Sequence, residues 1–379
     1  MDVTVVLPCL NEEESVGLCV KKCFDVFEKS GIKGEVVVVD NNCTDRTAEI
    51  AKAGGARVVS QTIAGYGAAY IKGLSEASGT YLVMADADDT YDFYDIPRMI
   101  FELERGAEMV LASRFMGKMA DGAMSFSHRY IGNPILTGML NVCFGAHLSD
   151  CHTGFRAFPK SVFVRFDLRT TGMEFASEMI VAALREKTRI VEIPTTYRPR
   201  IGESKLNGIV DAWRHVRFML MFSPDWLFVF PGSLLFFGGL LCAFLSGFRM
   251  LTIAGHRFDL HGMIAFSFAA LLGSQVLTLG VLAKNYGITQ GFVKKDAVID
   301  RALSLFNLER GLAIGALVAF VGFSLFGYVI WLWAENGFGT LGKERMLIVA
   351  GLLICFGVHA MFSSFFLSML GIRRIDDRV

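Results

Sequence analysis

The residues best suited to chemistry are Met84-Ala85-Asp86-Ala87-Asp88-Asp89, where an apolar run ends in carboxylates. Asp86 and Asp88, one residue apart beyond a strand end, can jointly hold a hard cation such as Mg²⁺ or Mn²⁺, with diphosphate oxygens and water completing its shell. Such an ion would neutralise a departing nucleotide diphosphate. Acidic turns are common, so the pair gains its meaning from its company. Pro8-Cys9-Leu10-Asn11-Glu12-Glu13 follows one β-branched run, and Val39-Asp40-Asn41-Asn42-Cys43-Thr44-Asp45-Arg46-Thr47 follows another. Asp40 and Asp45 are acceptors suited to a base N–H or to ribose hydroxyls, and Asp45 is equally suited to capping a helix. The glycines of Ala64-Gly65-Tyr66-Gly67-Ala68-Ala69 permit close backbone approach to a ligand.

These motifs need a scaffold that gathers strand ends. Up to about Arg200, short β-branched runs alternate with amphipathic segments, the pattern of an α/β fold with strands joined by helical crossovers. Strands are expected over residues 3–8, 35–40, 56–60 and 81–85, and helices over 12–30 and 44–53. Ligands of an open parallel sheet bind beyond the carboxyl ends of its strands, so Asn11, Asp40 and Asp86 should meet in one crevice.

At 379 residues the chain exceeds what one such domain uses. Its 37 basic and 37 acidic residues cancel, leaving no global field to draw nucleic acid, which is not expected as a partner. Hydrophobic residues make up 53%, and the excess lies after Pro224. Residues 226–248, 262–282, 312–333 and 346–370 are nearly uncharged and close to the ~20 residues that cross a bilayer as a helix. No amphipathic period interrupts them, as burial in a soluble bundle would require. Gln275 and His359 are the strongly polar side chains deep inside, suited to interhelical hydrogen bonds.

Four spans put both termini on one side. The loop between the second and third carries Lys284, Lys294, Lys295, Arg301 and Arg310, and the tail carries Arg373, Arg374 and Arg378. Both termini and the α/β domain are therefore expected in the cytoplasm. Eight cysteines without a C-x-x-C pair fit reduced thiols there, and the start of the chain lacks a signal-peptide pattern. Between domain and spans, Ile209, Trp213, Val216 and Leu220 recur at helical spacing beside Arg214, His215 and Arg217. This predicts a helix in the interface plane, the alternative being an amphipathic helix packed on the domain. Residues 116–144, where apolar positions surround His128, Arg129 and Asn133, are a second candidate for the lipid surface.

In their order and spacing, P-x-x-N-E, D-N-x-x-T-D-x-T, G-x-G-A-A and D-A-D resemble the GT-A domain of family 2 glycosyltransferases. Cys151-His152-Thr153-Gly154-Phe155-Arg156-Ala157-Phe158, Gly172-Met173-Glu174-Phe175-Ala176-Ser177-Glu178-Met179 and Gly202-Glu203-Ser204-Lys205-Leu206 narrow the resemblance to the dolichyl- or polyprenyl-phosphate hexosyltransferases. The resemblance implies a Rossmann-like GT-A domain over residues 1–206, an interfacial helix over 207–224 and a four-helix transmembrane domain over 225–379. The activity implied is metal-dependent transfer of a hexose from a UDP- or GDP-sugar to undecaprenyl or dolichyl phosphate, with inversion. Pro8, Asn11, Glu12, Asp40, Asn42, Asp45, Gly67 and Asp86 would bind the nucleotide, and Asp86 and Asp88 the Mg²⁺ or Mn²⁺. The position two residues after Asp88, where relatives often add a metal contact, is Thr90, which leaves Asp89 or water as the third ligand. Ala64 stands where many relatives have a basic residue, removing one diphosphate contact.

By the same resemblance Arg114 and Arg129 would hold the acceptor phosphate, whose oxygens suit two planar guanidinium forks. Arg200, Ser204 and Lys205 would form a loop over the donor diphosphate. Asp150, His152, Glu174 and Glu178 would bind sugar hydroxyls or orient the arginines, and Glu174 and Glu178, sharing a helical face at i, i+4, suit a structural role equally. A phosphate monoester, with a second pKa near 6, is already largely dianionic at neutral pH and needs no strong general base. One anchor would localise catalysis, so the further spans are open to homo-oligomer packing or lipid guidance. The rivals are a processive polysaccharide synthase, whose usual Q-x-x-R-W motif is missing here, and an inactive scaffold or lipid-sugar translocation partner, against which the intact Asp86, Asp88, Arg114 and Arg129 argue.

Overall fold

The computed structural model describes residues 2–202, 208–253, 255–289 and 308–370. Ser204, Lys205, Lys294, Lys295, Arg301, Arg373, Arg374 and Arg378, to which the sequence assigned roles, lie outside the described residues. The chain divides into two compact units, Met1–Met219 and Leu220–Val379.

The first unit opens with β1 (Val3–Cys9), α1 (Val16–Ser30), β2 (Gly34–Asp40), α2 (Thr47–Ala53), β3 (Arg57–Ser60), α3 (Tyr66–Glu76) and β4 (Tyr81–Met84). It continues with α4 (Ile96–Glu104), β5 (Met109–Ser113), α5 (Asn133–Phe144), β6 (Arg156–Pro159), α6 (Lys160–Phe166), α7 (Phe175–Arg185) and β7 (Ile190–Pro194). The strands form one sheet in the order β3-β2-β1-β4-β6-β5-β7. β1, β2, β3 and β4 are parallel neighbours, whereas β6 runs antiparallel to both β4 and β5. Near-continuous valine runs suit strands covered on both faces. Side chains alternate accordingly: Val3, Val5 and Leu7 join one buried cluster with α1, while Val6, Val37 and Val39 join another with Tyr70, Phe175 and Met179.

Two helices begin later than the sequence suggested. Residues 12–15 form a turn before α1, and α2 starts only at Thr47, whose N–H and hydroxyl are both held by Asp45 Oδ1. β6 was not legible as a strand, because four residues carry too little alternation to be recognised.

Helix α8 (Gly208–Met221) straddles the boundary between the units. Met219 is fully buried with the first unit's core, and Ala212 and Val216 pack beside it. Trp213, Arg214 and Arg217 face outward. His215, grouped in the sequence with the flanking arginines, is instead buried.

The second unit contains α9 (Phe230–Gly247), a short hairpin of β8 (Thr252–Ile253) and β9 (His256–Arg257), then α10 (Leu260–Thr289), α11 (Leu308–Glu335) and α12 (Glu344–Leu370). The stretches Asp225–Gly247, Leu260–Ile288, Leu308–Glu335 and Glu344–Leu370 are each long and apolar enough to cross a membrane. Gly315 and Gly357 let α11 and α12 approach closely, the small-residue contact expected where lipid supplies no hydrophobic drive between helices. Thr278 and His359 hydrogen-bond across α10 and α12 at 3.0 Å, and Lys284 pairs with Asp225 at 2.7 Å.

Candidate active site

The register Cys9↔Asp40 sets the carboxyl ends of β1 and β2 side by side, and Val6↔Met84 ends β4 beside β1, three residues before β1 itself ends. Asn11 and Asp86 therefore follow the ends of β1 and β4, and Asp40 closes β2 between β1 and β3. The loops after β1 and β2 are tied together. Asn11, at φ 54°, accepts the Thr44 N–H at 2.7 Å, Glu12 N–H donates to Thr47 Oγ1 at 2.8 Å, and Glu13 N–H donates to Asp45 Oδ2 at 3.1 Å. Both Asp45 oxygens are thus committed to the turn. Asp40 accepts the Cys43 N–H through Oδ1 at 2.8 Å. Asn42 is exposed, with its amide on Thr62 O at 3.3 Å, and Pro8 lies within β1 opposite Val39. Asn11, Glu12, Glu13, Glu14, Thr44, Asp45, Ile201 and Gly202 line a cleft of about 390 Å³.

Asp86 accepts from Tyr66 and Tyr70 hydroxyls at 3.2 and 3.4 Å, one α3 turn apart. Burial, and then the charge of Asp88, pushes its carboxyl up to about 7. Thr90 does not point away as a free ligand: its hydroxyl donates to Asp88 Oδ1 at 2.7 Å and orients that carboxylate. Asp89, at φ 62°, is bound by Lys22 at 2.6 and 2.8 Å, which accounts for both of its oxygens. Arg200 lies 3.4 Å from Glu12 Oε1 and 3.5 Å from Asp88 Oδ2. Among the described residues no three His, Cys, Asp or Glu side chains converge to hold an ion alone. Asp86 and Asp88 fit a cation that draws its other ligands from phosphate and water.

Two glycines are required by close approach. A Cβ on Gly154 would stand 2.7 Å from Asp86 Oδ2, so only glycine lets this segment pass the carboxylate. A Cβ on Gly67 would meet Thr170 O at 2.2 Å, and Gly67 N–H donates to Gly172 O at 3.3 Å. Gly67 is thereby explained by the loop before α7.

On the far side of β6, Arg114 is 7% exposed and clamped by Asp150: Nε to Oδ2 at 2.7 Å and Nη2 to Oδ1 at 2.8 Å. Burial would raise the Asp150 carboxyl, but the charge and hydrogen bonds of Arg114 outweigh it and hold it below its usual range. Arg114 also stacks 5.4 Å over the Tyr197 ring. Arg129 differs. It is half-buried, lies over the Tyr130 ring at 5.3 Å, and has no carboxylate partner among the described residues.

The glycosyl transferase family 2 profile matches residues 4–166, and the profile of the glycosyltransferase family 2 C-terminal transmembrane region matches residues 281–371. The low-salt glycan biosynthesis hexosyltransferase Agl6 of Haloferax volcanii is 37% identical over 372 residues, 97% of this chain and 89% of its own. The chain belongs to glycosyltransferase family 2. A dolichyl-phosphate hexose transferase of Haloferax volcanii is 30% identical over 208 residues, 54% of this chain and 87% of its own. A dolichol-phosphate mannosyltransferase of Pyrococcus furiosus is 29% identical over 227 residues, 57% of this chain and 63% of its own. The fold is accordingly the GT-A-like mixed sheet of a family 2 transferase, and its four apolar helices make it an integral membrane protein.

Within this family 2 transferase the remaining expected residues take distinct roles. Glu178 holds the loop before α7, accepting Arg169 N–H at 3.0 Å and Thr170 N–H at 2.9 Å. Glu174 Oε2 is buried without a hydrogen-bond partner. His152 is bracketed by Cys151 Sγ at 3.0 Å and Ser177 Oγ at 3.1 Å, and Ser177 also bonds His215 at 2.8 Å. Burial, reinforced by His215 nearby, pushes His152 well below its usual range, so it stays neutral. Sequence reasoning did not single out Tyr70, Lys22 or the fully buried Arg156, which donates to Thr153 O, Ala176 O and Cys151 O. The i, i+4 spacing of Tyr66 and Tyr70 just after the glycine turn was the available signal for the Asp86 donors.

Proposed function

We propose that this transferase moves a hexose from a UDP- or GDP-sugar to a polyprenyl phosphate, undecaprenyl or dolichyl, giving a monophosphate-linked lipid sugar. The observation that carries the reading is the Arg200 guanidinium set between Glu12 and Asp88 at the end of β4, beside Asp86. It joins a cationic group to the acidic pair where a nucleotide diphosphate would leave. The adjoining cleft of about 390 Å³ is within the usual range of small-molecule sites. Asp40, with its second oxygen unengaged among the described residues, is the candidate reader of the base.

Asp86 and Asp88 would hold Mg²⁺ or Mn²⁺, which when bound supplies charge neutralisation to the departing diphosphate. Arg200 adds a planar donor to the same oxygens. Asp150 has both oxygens on Arg114, and both His152 nitrogens are engaged, so neither is poised as a general base. That favours attack by the acceptor's own phosphate oxygen, already anionic at neutral pH. A single displacement at the anomeric carbon follows, with inversion; the new C–O bond forms as the C–O bond to the diphosphate breaks. Arg129, unpaired by carboxylate, would bind the acceptor phosphate, and Arg114, rigidly held by Asp150, would border that site. The basic loop pattern supports a catalytic unit in the cytoplasm.

The test uses full-length protein in lipid, Mn²⁺, polyprenyl phosphate and radiolabelled UDP- and GDP-hexoses in turn. Label should enter the lipid fraction with at least one donor. Failure with every donor would sink the proposal.

A further inference from the structure

The polar side chains of the membrane unit mostly find partners inside it. Ser267 and Ser364 bond carbonyls one turn back, Ser274 bonds Leu271 O, Thr278 meets His359, and Lys284 meets Asp225. The Ser246 hydroxyl, buried without a partner, departs from this pattern, and so does the larger side chain of Gln275. It is exposed on α10, and among the described residues it has no hydrogen-bond partner. At ~1.5 Å rise per residue it sits about 22 Å from Leu260, near the middle of the span Leu260–Ile288. Its side chain is far too short to reach water from there. A primary amide in hydrocarbon carries two donors and an acceptor whose desolvation is costly unless they are met.

Exposed residues of α10 around it include Ala265, Phe268, Leu272 and Leu279, with Ile264 exposed beside that stripe. With Gln275 those four recur at intervals of three, four, three and four, the seam along which two helices interdigitate. An outward apolar stripe alone would face lipid without further meaning. The amide at its centre is what demands a partner.

We propose that α10 pairs with α10 of a second copy of this chain, with the two Gln275 amides hydrogen-bonded to one another. A two-fold contact satisfies the chemistry because each amide offers the donor and the acceptor that its counterpart lacks. A single polar position in an apolar seam also fixes register. The pairing is a homodimer contact in the bilayer, independent of the sugar donor and of the acceptor.

The experiment counts copies of the purified full chain by single-molecule photobleaching in dilute lipid vesicles. Two-step bleaching is expected for the native chain. Gln275→Leu, which suits a lipid-facing helix and preserves the fold, should weaken association about tenfold, and Gln275→Asn should retain most of it. In a Cys242→Ala, Cys355→Ala background, Leu272→Cys should oxidise to a covalent dimer, while Phe320→Cys, exposed on α11, should not. One-step bleaching of the native chain, unchanged association of Gln275→Leu, or cross-linking through Phe320→Cys in place of Leu272→Cys would each overturn the proposal.

Discussion

The two sides of β6 treat their charges differently. Toward β4, Asp86 and Asp88 are held by hydroxyls of Tyr66, Tyr70 and Thr90, with Arg200 no nearer than 3.5 Å to Asp88. Toward β5, Arg114 and Asp150 are locked in a bidentate pair at 2.7 and 2.8 Å. Hydroxyl donors orient a carboxylate without cancelling its charge. A buried guanidinium–carboxylate fork cancels both charges and fixes both side chains. On the proposed reading, the side of Asp86 and Asp88 is poised to take up a cation, whereas the other side is built around a rigid pair.

The largest effect should follow from removing the donor-side charge. Asp88→Asn keeps the shape and the Thr90 contact but should cut hexosyl transfer by about a thousandfold or more, with the folded state intact by circular dichroism. Wild-type-like turnover would break the comparison at its stronger end. Next comes Asp150→Asn, which strands the buried Arg114. We expect a loss of about 3 kcal/mol in unfolding free energy, measured by denaturation, alongside reduced transfer. Little change in stability would mean that the pair is not the structural clamp its geometry suggests.

Arg129→Met sharpens the contrast, since this arginine is tied to no carboxylate. The KM for polyprenyl phosphate should rise ten- to a hundredfold, from about 1.5–3 kcal/mol of lost charged hydrogen bonding, while the KM for nucleotide-sugar and the stability hold. The smallest effect is one of pH. With the Asp86 carboxyl pushed up to about 7, protonation competes with cation binding on the acidic side of that value. Mn²⁺ affinity in the presence of nucleotide diphosphate should fall as pH drops through about 7, by at most about tenfold per unit. A flat profile from pH 8 to 6 would show that Asp86 is already ionised throughout.

The legible and illegible parts of the molecule separate along the same line. β1, β2 and β4 and the acidic ends that follow them were readable because a strand and its terminal motif are contiguous in sequence. The four spans were readable from length and composition alone. Pairings such as Lys22 with Asp89, 67 residues apart, and Arg200 with Glu12, 188 apart, were not, since periodicity says nothing about which distant residue a side chain reaches. Arg114 read as a phosphate ligand that Asp150 could orient, and the structure locks the two in a bidentate pair. His215 read as a surface residue beside Arg214 and Arg217, although Ser177 draws it into the interior. Asp45 and Glu178 carried two readings each in sequence, and their hydrogen bonds to Thr47, Glu13, Arg169 and Thr170 place both in loop structure.

The most direct test of the central claim compares two acceptors of equal chain length, polyprenyl phosphate and polyprenol, with whichever nucleotide-sugar supports transfer, and weighs the lipid product by mass spectrometry. The account predicts one hexose on the phosphate, no product from the alcohol, and loss of product in Asp88→Asn. Equal transfer to the alcohol, or product unchanged in Asp88→Asn, would contradict it.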